Sequence, residues 1–204
     1  MPSEIFLALF AYLLGSIPTG LILTRLFSGT DPRKEGSRNI GATNIFRTAG
    51  KGLGILTLAG DAFKGALPIW VALHWGVSPF WLSVSGLAPV VGHIFSVFLR
   101  FRGGKGVATA LGVYLVVSPL AVLIAFFLFV VIVWKWRYVS LGSITCALAM
   151  PLLVVLNEKA SLNLLVMSLV IAGLIVLRHR SNIARLLSGT ENKWKVQKTG
   201  KEGG

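Results

Sequence analysis

Six apolar stretches, at residues 5–26, 53–75, 79–101, 107–134, 139–156 and 161–177, account for most of this 204-residue chain. A helix crosses the ~30 Å hydrocarbon core of a bilayer with about 20 apolar residues, and most of these stretches have that length. Only 13% of the residues are charged, against about 25% in an ordinary soluble domain. The expected class is an all-α polytopic integral membrane protein.

Charge sets the expected topology. Lysine and arginine number 20 against 7 acidic residues, giving +13. On a soluble chain such an excess would suggest nucleic acid; here the basic residues lie between and after the apolar runs, where they set orientation, and no nucleic-acid partner is expected. The 28-residue stretch 107–134 is interrupted by Ser118-Pro119, and proline breaks a helix interior. Read as a hairpin of two short spans, it brings Arg25 to Lys51, Arg100 to Lys105, Lys135 with Arg137, and everything from Arg178 onward to one face. Only Lys159, in the turn Asn157-Glu158-Lys159, falls on the other. This predicts seven transmembrane helices, with the N-terminus outside and the C-terminus cytoplasmic. The hairpin must be short, since 28 helical residues extend about 42 Å for two passes.

The start Met-Pro-Ser-Glu lacks the basic region of a secretory signal, so the first run reads as a retained span. Trp134, Trp136 and Tyr138 read as an interfacial belt. Residues 1–193 are expected to form a single transmembrane domain, followed by a basic, flexible tail at 194–204. Cys146 is the lone cysteine, which rules out a disulfide framework. The three histidines are scattered and no acidic cluster exists, so no metal and no cofactor is expected.

Three polar clusters interrupt the apolar pattern. The first, in loop 27–51, reads GSRNIGATN at 36–44 and is followed by Arg47. Ser37, Asn39, Thr43 and Asn44 offer hydroxyls and amides, Gly36 and Gly41 permit close backbone approach, and guanidinium forks such as those of Arg38 and Arg47 match phosphate oxygens. It is either an anion cradle or a flexible loop whose arginines set topology. The second is Arg100-Phe101-Arg102-Gly103-Gly104-Lys105-Gly106, leading into a helix whose first N–H groups favour anions. It is not a Walker A loop, because Gly106 follows the lysine; the plainer alternative is a flexible span terminus. The third is Arg178-His179-Arg180-Ser181-Asn182 with Arg185 and Glu191. Asn182 and Arg185 follow His179 at three-residue steps along one helix face, to grip either a ligand or anionic lipid.

Ionisable groups inside spans are functional candidates. Asp61 and Lys64, spaced i, i+3, can neutralise each other. Asp61 and His93 each lie eight residues from the basic end of their spans, at similar depth. Ser140 and Ser143 open another span at that end. Together they suggest a polar cavity cut partway into the bilayer, with a packing role the alternative for His93. The Gly/Pro stretch GSIPTG at 15–20 suggests a kink with close packing. Paired carboxylates for glycosidic chemistry and a His-x4-Asp acyltransferase signature are both absent.

GSRNIGATN, the GH at 92–93, GGKGVAT at 103–109, WRYVSL at 136–141 and HRSNIARLLSGTE at 179–191, in order and separated by spans, resemble the membrane-embedded glycerol-3-phosphate acyltransferases that use acyl phosphate, the PlsY type. The resemblance implies transfer of a fatty acyl group from long-chain acyl phosphate to the sn-1 hydroxyl of glycerol 3-phosphate. The products would be lysophosphatidic acid and inorganic phosphate, and the setting a bacterial cytoplasmic (inner) membrane with the site facing the cytoplasm. The soluble enzyme that makes acyl phosphate is a candidate partner.

The resemblance guides a catalytic set of Ser37, Lys105, His179 and Asn182. The expected substrate-binding residues are Arg38, Asn39, Gly41, Thr43, Asn44, Arg47, Asp61, Lys64, His93, Gly103, Gly104, Gly106, Ser143, Arg185 and Glu191. Ser37, Asn39, Thr43 and Asn44, with Ser143 nearby, would cradle the donor's phosphate. Arg47, Lys105, His179 and Asn182 would hold glycerol 3-phosphate. The proton would pass either to His179 or to the donor's own phosphate. The rival reading is a transporter of a phosphorylated small molecule, which would use the intramembrane Asp61/Lys64 pair but would want a two-sided pathway.

Overall fold

The computed structural model describes residues 2–157 and 161–194. Most of the far-side turn at 157–160 and the tail beyond Trp194 lie outside them. The described chain contains ten α-helices and no strand: α1 (Pro2–Ser16), α2 (Thr19–Phe27), α3 (Ala42–Thr48), α4 (Lys51–His74), α5 (Pro79–Ile94), α6 (Val107–Val117), α7 (Pro119–Trp136), α8 (Val139–Asn157), α9 (Leu162–Arg178) and α10 (Arg180–Leu187), with a 3-10 turn at Val97–Leu99.

Proline places two of the breaks. Pro18 separates α1 from α2, so the first run is one apolar stretch of 26 residues with a kink in it. Pro119 opens α7, the position where a missing N–H costs nothing, and so divides 107–134 into two helices. Five helical segments are long and apolar enough to span: Pro2–Phe27, Lys51–His74, Pro79–Leu99, Pro119–Trp136 and Val139–Leu156; a sixth is α9 with α10, if the pair is counted together across its 59° bend. α6 has 11 residues, about 16 Å of helix, and falls short of the bilayer core on its own. The fold is thus an all-helical membrane bundle with five to six candidate spans. The sequence reading also missed α3, which forms inside what looked like a continuous polar loop.

Between lipid-facing helices there is no hydrophobic drive to associate, so close backbone packing does the work. α4 and α6 meet this way: a Cβ on Gly65 would strike the backbone of Thr109, and one on Gly112 would strike that of Ala62. α1 and α5 meet at Gly15 against Pro89 and Gly92 against Tyr12. Ile69, Val90, Ile94, Val113, Met167 and Ile171 fill the interior between α4, α5, α6 and α9, while Phe126, Phe127, Leu152 and Leu169 point outward, as expected of lipid-facing positions.

The kink at Ile17 exposes backbone carbonyls that a continuous helix would satisfy. Ser96 Oγ donates to the carbonyl of Ser16, and Lys64 Nζ donates to that of Ile17 at 2.7 Å. Lys64 is in turn paired with Asp61 Oδ1 at 2.8 Å, both side chains being almost fully buried. The broken first helix is therefore held by a lysine 47 residues further along.

Candidate active site

The alternation of helices brings the starts of α4, α6 and α8 and the ends of α5, α7 and α9 to one end of the bundle. A partly open cavity of about 130 Å³ lies there. All three polar clusters reach it. Ser37, Asn39, Gly41, Thr43, Asn44 and Arg47 form one side; Lys105 and Gly106 a second; His179, Asn182, Arg185 and Glu191 a third. Asp61, His93, Ser140 and Ser143 also line it. Asp61 Oδ1 and His93 Nδ1 stand 3.6 Å apart, at the common depth read from their sequence positions.

Loop 30–44 is organised by the buried side chain of Asn44. Its Nδ2 donates to the carbonyls of Pro32, Glu35 and Asn39 at 2.9, 3.2 and 2.9 Å. Its Oδ1 accepts the backbone N–H of Ser37 at 2.8 Å. The amide is fully engaged with backbone, and Ser37 is positioned by it. Asn39 Oδ1 accepts the N–H of Gly41 at 2.8 Å, which shapes the approach to α3.

The glycine segment packs on the end of α5. Gly103 and Gly104 donate their N–H groups to the carbonyls of Ile94 and His93, and a Cβ on Gly104 would overlap the His93 ring. Arg178 donates to both glycine carbonyls, through Nε to Gly104 at 3.1 Å and through its terminal nitrogen to Gly103 at 2.9 Å. The segment is thereby tied to α9, and Lys105 is aimed at the cavity. α6 starts immediately afterwards, and its first N–H groups have no intrahelical partner.

The third cluster converges on Glu191. Its Oε1 accepts from Ser140 Oγ and from Asn182 Nδ2, each at 2.7 Å, and its Oε2 accepts from Arg185 Nε at 2.7 Å. Burial alone would raise this carboxyl, but the three donors outweigh it and hold it below the ordinary range. Asn182 Oδ1 accepts from Lys105 Nζ at 2.6 Å. Burial pushes the Lys105 ammonium down to about 8; Glu191 opposes the change, and Arg185, Arg47 and Arg178 add to it. His179 lies at the bend between α9 and α10, past the end of α9. Burial and the neighbouring Lys105 push it down to about 4, so at neutral pH the ring is uncharged. Its Nδ1 contacts the Ile175 carbonyl at 2.8 Å and must donate there, which leaves Nε2 with the free lone pair.

Four expected site residues do not line the cavity. Arg38 is exposed on the loop with φ +56°, and Lys64 is turned toward the α1–α2 kink. Gly103 and Gly104 support Lys105 from behind, packed on His93. Of the two serines opening α8, Ser143 turns its hydroxyl back to the Val139 carbonyl at 2.9 Å, whereas Ser140 holds Glu191. Arg178, which belongs to the third motif, acts through the glycine segment, and Asn192 joins the rim. The site is thus rich in cations and neutral donors. Its two carboxylates, Asp61 and Glu191, are each already paired with a cation. Among the described residues no group of histidines, cysteines and carboxylates is arranged to hold a metal.

A family model described as glycerol-3-phosphate acyltransferase matches residues 5–189. The chain belongs to this family. It is 56% identical over 195 residues to a glycerol-3-phosphate acyltransferase of Geotalea daltonii, covering 96% of this chain and all of that one. It is 54% identical over 196 residues to the Geobacter sulfurreducens protein of the same description, with the same coverage. Among solved structures, the crystal structure of PlsY (YgiH), an integral membrane glycerol 3-phosphate acyltransferase, superposes in its glycerol 3-phosphate form with a TM-score of 0.90 at 45% identity, over 95% of this chain and 96% of that one. Its lysophosphatidic acid form gives 0.87 at 44% identity over the same shares. The resemblance carried by the three motifs is therefore a family membership, and the PlsY fold is shared along nearly the whole chain.

Proposed function

We propose that this protein is a glycerol-3-phosphate acyltransferase that takes its acyl group from long-chain acyl phosphate. The group passes to the sn-1 hydroxyl of glycerol 3-phosphate, giving lysophosphatidic acid and inorganic phosphate. The observation that carries the reading is the convergence of Ser37, Lys105 and the Asn182–Glu191 network on one cavity. This cavity offers cations and neutral donors to two phosphates and no unpaired carboxylate to repel them. The relatives' descriptions name the acceptor, and the PlsY structures carry it and the product.

The proposed roles follow the walls of the cavity. Ser37, Asn39 and Thr43, with the N–H groups at the start of α6, receive the donor's phosphate and hold it as it departs. Lys105, Arg47 and Asn182 bind the phosphate of glycerol 3-phosphate and point its hydroxyl at the acyl carbon. The hydroxyl oxygen forms the new ester bond, the acyl carbon–phosphate oxygen bond breaks, and the electron pair leaves on phosphate. The proton goes either to His179 Nε2 or to the departing phosphate. Acyl phosphate is already activated, so positioning and charge stabilisation supply most of the acceleration.

We further infer seven passes, counting α6 with α7 as the short hairpin and α9 as the last. The N-terminus is outside, and the cavity opens to the cytoplasm of a bacterial inner membrane, because the basic residues gather at the cavity end. Residues 1–193 then form one transmembrane unit, and a soluble enzyme making acyl phosphate would deliver the donor to that face. The transporter reading drew on the Asp61/Lys64 pair, which has a structural use in holding the α1–α2 kink.

The test is phosphate release by purified protein in lipid, given palmitoyl phosphate with and without glycerol 3-phosphate. Release that depends on glycerol 3-phosphate, yields lysophosphatidic acid and collapses in Ser37→Ala supports the proposal. Folded protein that releases no phosphate with both substrates present refutes it.

A further inference from the structure

The family match ends at residue 189, yet Glu191 and Asn192, just beyond it, line the cavity. α10 ends in a reversal: Gly189, at φ +71°, donates to the Leu186 carbonyl, and Thr190 donates to that of Arg185. This pair of bonds with a left-handed glycine is a Schellman cap. It turns the chain back so that Glu191 meets Ser140, Asn182 and Arg185. Three residues later, the backbone N–H of Trp194 donates to the Arg137 carbonyl at 2.6 Å, and Lys193 Nζ lies 5.9 Å from the Tyr138 ring. Segment 189–194 is thus tied to the α7–α8 corner by the Trp194 N–H and by the Glu191 side chain.

The Trp194 side chain reaches the other wall. Its ring lies 5.0 Å from that of Phe46, tilted by 42°. Phe46 is on α3, next to Arg47, and Arg47 lines the cavity. The first and third polar clusters belong to elements more than a hundred residues apart in sequence, and this stack bridges those elements.

We infer that Trp194 is a positioning residue for the acceptor half of the reaction. By stacking on Phe46 it holds α3 against the α7–α8 corner and sets the distance from Arg47 to Lys105 and Asn182. This rests on the proposed acyltransferase reading, in which those three groups grip glycerol 3-phosphate. Because the anchor to Arg137 is a backbone bond, replacing the side chain removes the stack and leaves the strap's other contacts in place.

The experiment compares the full chain with Trp194→Ala, Trp194→Phe, Phe46→Ala and the double variant Trp194→Ala/Phe46→Ala in lipid, varying glycerol 3-phosphate at saturating palmitoyl phosphate. An aromatic pair of this geometry corresponds to about a five-fold change in binding. Trp194→Ala should raise the KM for glycerol 3-phosphate by about that factor with kcat within two-fold of the parent, and Trp194→Phe should restore it. Phe46→Ala should match Trp194→Ala, and the double variant should be no worse than either. An unchanged KM in Trp194→Ala, a loss of kcat and thermal stability that phenylalanine does not rescue, or additive effects in the double variant would each overturn the inference while leaving the activity standing. A parent protein that makes no lysophosphatidic acid would instead remove the underlying reading, and this inference with it.

Discussion

Lys105 Nζ donates to Asn182 Oδ1 at 2.6 Å, and the same amide donates from Nδ2 to Glu191. A cation and a carboxylate are thereby held apart by one neutral side chain that satisfies both. Neither acceptor nor donor on that amide is interchangeable: Lys105 needs an oxygen, Glu191 an N–H.

Asn182→Asp supplies the oxygen but not the donor, and sets a second negative charge against Glu191. Asn182→Ala removes both bonds. Hydrogen bonds to charged groups are worth about 1.5–3 kcal/mol each, so Asn182→Ala, which loses two, should lower kcat/KM by at least about 100-fold, and Asn182→Asp, which loses one, by at least about ten-fold. Asn182→Asp should do so with the larger rise in KM for glycerol 3-phosphate, because it also repels the phosphate. Steady-state kinetics on the purified variants reads this directly; an aspartate variant with parental KM would show that the amide's N–H has no part in binding.

The depressed Lys105 ammonium gives a pH signature. An ordinary lysine stays charged to about pH 10, but Lys105 titrates near 8. The charge that attracts phosphate is complete at pH 6 to 7 and falls as pH rises through about 8. The KM for glycerol 3-phosphate should therefore climb from pH 8 upward. In Lys105→Arg, which keeps its charge throughout, that climb should vanish even though the parent KM is not recovered. A KM that stays flat to pH 10 in the parent would count against this.

His179 predicts a missing limb. With the imidazole pushed down to about 4, it is uncharged throughout the working range, so kcat should not rise through pH 6.5 as it would for an unperturbed histidine. His179→Ala separates the two proton routes at saturating glycerol 3-phosphate. A large loss of kcat assigns the base to Nε2; a change confined to KM leaves the proton to the departing phosphate and His179 to binding.

How much of this could be read from sequence follows from the range of each contact. GSRNIGATN, the segment around Lys105 and the cluster from His179 to Glu191 were legible because each packs several polar residues into an otherwise apolar chain. Their convergence followed from helix alternation, and the Asp61/His93 proximity from counting residues along two helices. The use of Asn44 was not legible. A buried asparagine that serves three carbonyls looks, in sequence, like any ligand-facing amide in the loop. Nor was the choice of Ser140 over Ser143, one turn apart, because it depends on where Glu191 returns after the Gly189 reversal. Helix α3 was missed because its seven residues are too few to show a periodicity.

Asn44 is accordingly expected to act on the loop rather than on substrate. Asn44→Ala leaves the buried Pro32 carbonyl without this partner, at about 1–3 kcal/mol, and removes the part-buried bonds to Glu35, Ser37 and Asn39 as well. It should lower the thermal midpoint in detergent and abolish turnover, whereas Ser37→Ala should abolish turnover at an unchanged midpoint. Equal midpoints for the two would refute the organising role.

The Asp61–Lys64 pair offers a test by asymmetry. Lys64 is bound to Asp61 and to the Ile17 carbonyl deep in the bundle. Removing one member of such a pair strands a charge and costs about 3–5 kcal/mol, whereas replacing both can be far milder. Lys64→Met and Asp61→Asn should each destabilise strongly. The double variant should recover much of the loss in thermal stability, since only the cap on the α1–α2 kink is then missing. Asp61 also lines the cavity, so recovery of stability need not bring recovery of turnover. A double variant as unstable as the sum of the singles would mean that the two charges act independently, and that the kink is held by something other than the pair.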